Sequence, residues 1–365
     1  MSERSTRPAT PVIESVQVMR GIAAFAVVLY HANLILAKPQ YGGRDILHDL
    51  ASRGWLGVNF FFVLSGFIIM VAHHADIGRP HAAGRYIWRR FTRLYPIYWV
   101  CLSVYLIAAY LGIGHPEFHW EPANILSAYL LVQVTDNLSL PLQVAWTLFY
   151  EVAFYAAFTA LIFNRAAGIA LFAIWLAAVS IAGLLGHTQM GLLHMWNVSF
   201  FTGMAVFALA RRLDSRWGLP VLGAGIALLI GLLLAGFGAS LRQTQASPLS
   251  VLLLTLPFGM ILLGAALAEP RFGWRAPKWL LLIGAASYAI YLVHSPVISV
   301  IAQLHHKLAG AAGLPGLALF LLATVISTAA GIIAHLVIEQ PLLAALRWLG
   351  DRFRALTRPR PFETP

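Results

Sequence analysis

Val16-Gln17-Val18-Met19-Arg20-Gly21-Ile22-Ala23-Ala24-Phe25-Ala26-Val27-Val28-Leu29-Tyr30-His31-Ala32-Asn33 is apolar enough to cross a bilayer, yet it carries an arginine and a histidine. Eleven residues of α-helix turn through about 1100°, so Arg20 and His31 share one face, about 16 Å apart along the axis. An ionisable group inside a membrane costs roughly 2.5–3.5 kcal/mol on insertion scales, so such groups face a polar interior and usually serve a purpose. Two plainer readings stay open. Arg20, close to the start of the span, can snorkel to the interface, and His31 can be a hydrogen-bonded packing residue.

The rest of the chain extends the membrane reading. Of its 365 residues, 59% are hydrophobic and 11% charged, and the mean hydropathy is +0.76. A soluble domain carries about 25% charged residues. The single cysteine, Cys101, excludes a disulfide framework within the chain and a cysteine-based zinc cluster. No internal repeat suggests a transporter built from two halves. Ten apolar stretches are long enough to be spans: 16–37, 55–73, 94–113, 145–163, 167–185, 194–210, 219–237, 249–267, 279–303 and 315–338. The shortest is 194–210. Pro122 to Val134 is too short to cross and reads as an interfacial or re-entrant helix. The expected fold class is all-α, a polytopic membrane protein with about ten transmembrane helices. It divides into an N-terminal tail (1–15, expected to be disordered), a membrane domain (16–341) and a basic C-terminal tail (342–365).

Charge sets the expected orientation. With a cytoplasmic N-terminus, one side holds Arg4, Arg7 and Arg20, the even-numbered loops and the C-terminal tail. That side then carries twenty of the 25 basic residues, leaving Lys38, Arg44, Arg53, Arg242 and Lys307 opposite. Such a bias follows the positive-inside rule and places both termini in the cytoplasm. It also accounts for the net charge of +11 through loops beside anionic lipid, without a nucleic-acid partner.

One cytoplasmic loop is denser in charge than topology requires: Arg85-Tyr86-Ile87-Trp88-Arg89-Arg90-Phe91-Thr92-Arg93-Leu94-Tyr95-Pro96. Arg89 and Arg93 are four apart, hence on one helical face, with Arg90 beside them. Clustered arginines bind phosphate through charge-assisted, bidentate hydrogen bonds, and the interleaved aromatics can stack on a purine. The same composition also suits a lipid-headgroup anchor.

Two further groups lie inside spans. Glu151, in Trp146-Thr147-Leu148-Phe149-Tyr150-Glu151, is the one carboxylate within any of the ten stretches. It must be neutral, paired or wet. Arg20 (as ion pair) and His31 (as a ring to orient) are candidate partners, and a packing hydrogen bond to Tyr or Trp is the alternative. His294 precedes Ser295-Pro296, which kinks helices, so it is as readily structural as catalytic. His335 and Glu339 carry less weight. Ser65 reads as a small residue that lets helices approach closely. There is no Walker A loop, no His-Glu-x-x-His and no Gly-x-Ser-x-Gly. The adjacent pairs His73-His74 and His305-His306 point about 100° apart on a helix, which suits no two-ligand metal site.

Arg20-x10-His31 resembles a signature of the acyltransferase 3 family of bacterial membrane acyltransferases. Four segments resemble the family in the same order: Gly54-Trp55-Leu56-Gly57-Val58-Asn59-Phe60-Phe61-Phe62-Val63-Leu64-Ser65-Gly66-Phe67, Arg89-Arg90-Phe91-Thr92-Arg93-Leu94-Tyr95-Pro96, Trp146-Thr147-Leu148-Phe149-Tyr150-Glu151, and Ser287-Tyr288-Ala289-Ile290-Tyr291-Leu292-Val293-His294. Ile338-Glu339-Gln340-Pro341 is similar to the family's Glu-x-Pro ending. The likeness runs from about Val16 to Pro341 and is closest to the short exopolysaccharide-modifying members of the ExoZ type. Asn59 departs from the Asp expected in many relatives.

The resemblance implies transfer of an acyl group, usually acetyl, from cytoplasmic acyl-CoA to a hydroxyl of a sugar or lipid-linked glycan, by a multi-pass protein of the bacterial inner membrane. His31 would be the general base. Arg20 would stabilise negative charge on CoA or on Glu151, and Arg89, Arg90, Arg93 and Tyr95 would bind the donor. An acyl-histidine intermediate remains open. The implied partners are acyl-CoA, a carbohydrate acceptor and membrane lipid, with no metal. A transporter or flippase using Arg20, His31 and Glu151 as a relay is the alternative, and a structural subunit of an export complex a third reading.

Overall fold

A computed structural model describes residues 13–41, 43, 46–47, 51–113, 118–186, 191–238, 247–309 and 314–356. The tail residues Arg4 and Arg7, with Arg44, Arg242, Arg358 and Arg360, lie outside them. The described residues contain helices and no strand. Among the described residues thirteen α-helices follow one another: α1 (Glu14–Leu36), α2 (Leu56–His73), α3 (Ala83–Tyr110), α4 (Pro122–Leu130), α5 (Trp146–Phe163), α6 (Arg165–Leu184), α7 (Asn197–Ala210), α8 (Gly218–Leu234), α9 (Pro248–Phe272), α10 (Lys278–Ala285), α11 (Ser287–Ala309), α12 (Gly316–Ala334) and α13 (Gln340–Leu356). Among the described residues nine stretches are long and apolar enough to span a membrane, and α7 is a shorter apolar helix. The protein is an all-α polytopic membrane protein.

Helix α1 is central: it packs against α2, α10, α11 and α12. Close approach depends on glycine. A Cβ on Gly66 of α2 would stand 2.1 Å from the Phe200 carbonyl oxygen, and one on Gly203 of α7 would stand 2.0 Å from that of Val63, so these backbones touch. A Cβ on Gly284 would stand 1.9 Å from the Gln17 carbonyl oxygen. That contact sets α10 directly against the turn of α1 that bears Arg20.

Three sequence expectations need correction. The Arg85–Arg93 stretch is no loop but the first turns of α3, which runs unbroken through Pro96. Proline removes one main-chain hydrogen bond. The turns before it are held by tertiary contacts: Arg85 donates to Asp76 Oδ1 at 2.9 Å, and buried Tyr86 packs on His73 and Phe158. Second, the 279–303 stretch is broken at Ala286 into α10 and α11. Third, α12 gives way to a π-helical turn, His335–Glu339, that leads into α13. The first part of the 342–365 tail is therefore helical. Within the 122–134 stretch, α4 covers Pro122–Leu130, nine residues, and is closed by Leu131 in the left-handed region (φ 54°).

Candidate active site

Arg20 lies half-buried among three helices. Its Nη1 donates to Gln17 Oε1 at 3.0 Å, and its Nη2 donates to Ser287 Oγ at 2.9 Å, where α10 breaks into α11. The break thus supplies an acceptor that an unbroken helix would leave turned elsewhere. Arg93, Glu339 and Glu151 are the charged groups that act on Arg20.

Arg93 and Arg90 point the same way. Arg93 Nη1 donates to Glu339 Oε1 at 2.7 Å, and its guanidinium lies 5.6 Å over the Tyr288 ring. The other Glu339 oxygen sits 2.7 Å from His335 Nδ1, and Glu339 is 1% exposed. Arg90 Nη2 donates to His73 Nε2 at 3.3 Å, and its guanidinium stands over Tyr86 and Tyr155. His73 Nδ1 in turn donates to Asp76 Oδ2 at 2.9 Å. Arg90 Nε is buried without a protein partner. Arginines 20 and 93 thus gather with Glu151 and Glu339, and Arg90 stands over Tyr155, the ring that donates to Glu151; guanidinium groups of this kind suit a multiply charged anion.

Two residues read as donor ligands lie elsewhere. Arg89 is exposed. Tyr95, two residues after Arg93, falls about 200° around the helix. Its hydroxyl donates to the Leu130 carbonyl at 2.8 Å, while Tyr98 donates to Ala128 at 2.7 Å and Trp99 Nε1 to Tyr129 at 2.9 Å. The last carbonyls of a helix lack intrahelical partners. Three side chains of α3 supply them to α4, and Tyr95 is one of these caps.

Glu151 also departs from expectation. It accepts hydrogen bonds from Ser65 Oγ (3.0 Å) and from the Tyr155 hydroxyl. It makes no hydrogen bond or ion pair with Arg20 or His31, although its charge acts on Arg20, so its ring-orienting role has no geometric support. Ser65 serves as a donor, and Gly66 beside it is the residue of close approach.

His31 sits on the far half of α1, lining a cavity of about 1240 Å³ together with Lys38, Gln143, Trp146, Ser295 and Ser299. The segment 131–144 forms much of the wall, with Gln133, Thr135, Asp136 and Ser139 adding polar groups. Polar groups beside aromatic rings suit a carbohydrate. His31 Nδ1 lies 3.0 Å from the Val27 carbonyl oxygen and 3.2 Å from His294 Nε2. A carbonyl only accepts, so Nδ1 carries the ring hydrogen. Nε2 is then the unprotonated nitrogen, free to act as a base toward a molecule in the cavity.

Sequence reasoning undervalued Glu339 and His294. Each meets its partner across more than 240 residues. The available signal was the company they keep: Glu339 in the Glu-x-Pro ending, His294 in a segment that resembles the family.

An acyltransferase domain profile matches residues 13–336. The exopolysaccharide production protein ExoZ of Rhizobium meliloti (strain 1021) is 31% identical over 311 residues, covering 80% of this chain and 90% of that protein. The acyltransferase MdmB of Streptomyces mycarofaciens is 28% identical over 397 residues, covering 94% of each chain. The peptidoglycan O-acetyltransferase OatA of Listeria monocytogenes is 26% identical over 340 residues. That alignment takes in 81% of this chain but only 51% of OatA, so the chain spans about half of that relative. No solved structure matches the chain.

Proposed function

The chain belongs to the acyltransferase 3 family, and from that premise we propose that it is a membrane O-acyltransferase of the bacterial inner membrane. It moves an acyl group, acetyl in the first instance, from cytoplasmic acyl-CoA to a sugar hydroxyl of an exopolysaccharide, O-antigen or lipid-linked glycan. The observation that carries this reading is His31: a ring that lines a cavity and keeps one nitrogen lone pair available.

The donor enters beside Arg20, Arg90 and Arg93, whose guanidinium groups take its phosphates. Arg89, exposed at the helix surface, adds long-range attraction. The pantetheine arm then runs along α1 for the roughly 16 Å that separate Arg20 from His31. The acceptor occupies the cavity on the other side of His31. Nε2 takes the proton as the hydroxyl oxygen attacks the thioester carbonyl. Glu151, held by Ser65 and Tyr155, balances arginine charge.

The test is acyl transfer by purified protein in lipid bilayers, with labelled acyl-CoA consumed and free thiol released. His31→Ala should lower kcat by about 10²–10⁴-fold while CoA binding persists. Near-normal turnover by His31→Ala would remove His31 as the base. Failure of the unaltered protein to consume acyl-CoA would remove the donor and return attention to a transporter.

A further inference from the structure

The base of the proposed reaction does not stand alone. His294 Nε2 lies 3.2 Å from His31 Nδ1, and the two ring centres are 4.8 Å apart at 68°. His294 Nδ1 lies 3.0 Å from the Ile290 carbonyl oxygen. Since that oxygen only accepts, the His294 hydrogen is on Nδ1, and Nε2 presents a lone pair to the His31 N–H. His31 Nδ1–H is therefore shared between the Val27 carbonyl and His294. Two helices, α1 and α11, fix the two rings, each to a carbonyl one turn back.

His294 is fully buried (0% exposed) and does not line the cavity. Whatever it does for a molecule there, it does through His31. It takes the place that a carboxylate holds in many nucleophile–base–orienter sets. Glu151, the nearest candidate by sequence, is occupied by Ser65 and Tyr155.

We propose that His294 is the positioning residue of His31 and takes up the proton that His31 relays. This inference rests on His31 being the base. The acceptor hydroxyl gives its proton to His31 Nε2, and the Nδ1 hydrogen of His31 passes to His294 Nε2. The oxygen electron pair forms the new C–O bond at the thioester carbonyl carbon. The C–S bond breaks, and its electron pair leaves on sulfur. The thiolate then takes the proton from His31 Nε2 as His294 returns its own to Nδ1. The sum is one ester and one thiol from one thioester and one alcohol, with both histidines restored.

His294→Ala and His294→Gln separate the two parts of the role. The glutamine carbonyl can accept from His31 Nδ1–H, but it cannot hold a proton at neutral pH. Both variants should lose about 10²-fold in kcat with unchanged CoA affinity and little change in acceptor KM. Recovery of near-normal kcat in His294→Gln would overturn the relay. Near-normal kcat in His294→Ala, alongside an inactive His31→Ala, would overturn the inference and leave the base intact. Normal turnover in His31→Ala would instead overturn the underlying reading. Should His294→Ala fail to fold, ¹⁵N-histidine spectra of the unaltered protein decide. A protonated His31 Nδ1 coupled to His294 Nε2 is expected, and a His31 ring protonated on Nε2 would overturn the proposal.

Discussion

Arg93 and Glu339 hold each other at 2.7 Å, and the carboxylate is almost wholly buried. A donor phosphate bound as proposed would meet a guanidinium already held in place by Glu339. In the proposed reaction the ion pair would preset the donor contact, and the π-helical turn carries Glu339 to Arg93. Extra-residue turns of this kind recur at functional sites. Losing one charge-assisted hydrogen bond costs about 1.5–3 kcal/mol. Arg93→Ala should then weaken acyl-CoA binding about ten- to a hundred-fold, read by equilibrium titration. Unchanged affinity with Arg89, Arg90 and Arg93 all replaced would leave the segment as a lipid anchor. Glu151→Gln is a milder change, because the amide oxygen can still accept from Ser65 and Tyr155. Its turnover should fall by less than about tenfold, the equivalent of roughly 1.4 kcal/mol, far short of the loss in His31→Ala. At this scale the sequence was legible in kind but not in pairing. Arg20, His31, Arg90, Arg93 and Glu151 could be chosen because charge in an apolar run is costly. That Arg93 meets Glu339, and His31 meets His294, depends on contacts across 246 and 263 residues, which helical periodicity does not encode.

At the scale of elements, α3 does two jobs with its two faces. One face points Arg90 and Arg93 inward. The other stacks Trp88, Phe91, Tyr95 and Trp99 and caps the end of α4. The capped helix leads into Leu131 and the polar wall of the cavity, so the caps hold the wall above His31. Tyr98 is fully buried, and its hydroxyl is the donor to the Ala128 carbonyl. Tyr98→Phe should leave that carbonyl with only the 3.4 Å Leu131 N–H and cost about 1 kcal/mol of stability, measured by thermal unfolding in detergent. Its kinetic effect should be a raised acceptor KM with donor affinity intact. A raised donor Kd instead would mean that α3 transmits strain to its arginine face. Hydropathy located α3 but set its start late, because arginines and polar groups lower the average over turns that are nonetheless helical. The break at Ala286 has the opposite cause: Leu282 to Leu292 is mostly apolar, and Ser287, the contact of Gly284 with α1 and the Arg20–Ser287 bond are what mark it. Asn59 behaves as a structural residue. Its amide accepts from Ser199 and Thr255 and donates to Val251, tying α2 to α7 and α9. A carboxylate at that position could not donate to the Val251 carbonyl while ionised.

For the whole molecule, the sidedness of the reaction depends on one topological assignment. The arginine cluster lies by the N-terminal half of α1 and the cavity by its C-terminal half, so the proposed reaction needs the N-terminus on the donor side of the membrane. Twenty of the 25 basic residues fall on that side when the termini are cytoplasmic. The test lies between α7 and α9. Arg211 follows α7 directly, and Arg242 follows α8, with α8 the one long apolar helix between them. Helix α8 is exposed along most of its length and packs mainly on α9, as a lipid-facing helix should. Reporter fusions at Arg211 and Arg242 should therefore land on opposite faces, with Arg211 cytoplasmic. Equal reports would mean that α8 does not cross, and every later helix would then invert. Inversion would put the C-terminus opposite the N-terminus and carry the Glu339 turn away from Arg93. Because the Arg93–Glu339 bond forms within one folded chain, a second measurement follows. Cysteine pairs placed at positions 93 and 339, in a chain whose Cys101 is replaced by Ser, should crosslink in membranes. A failure to crosslink, together with equal reporter signals, would overturn the shared arginine cluster and with it the proposed cytoplasmic donor site.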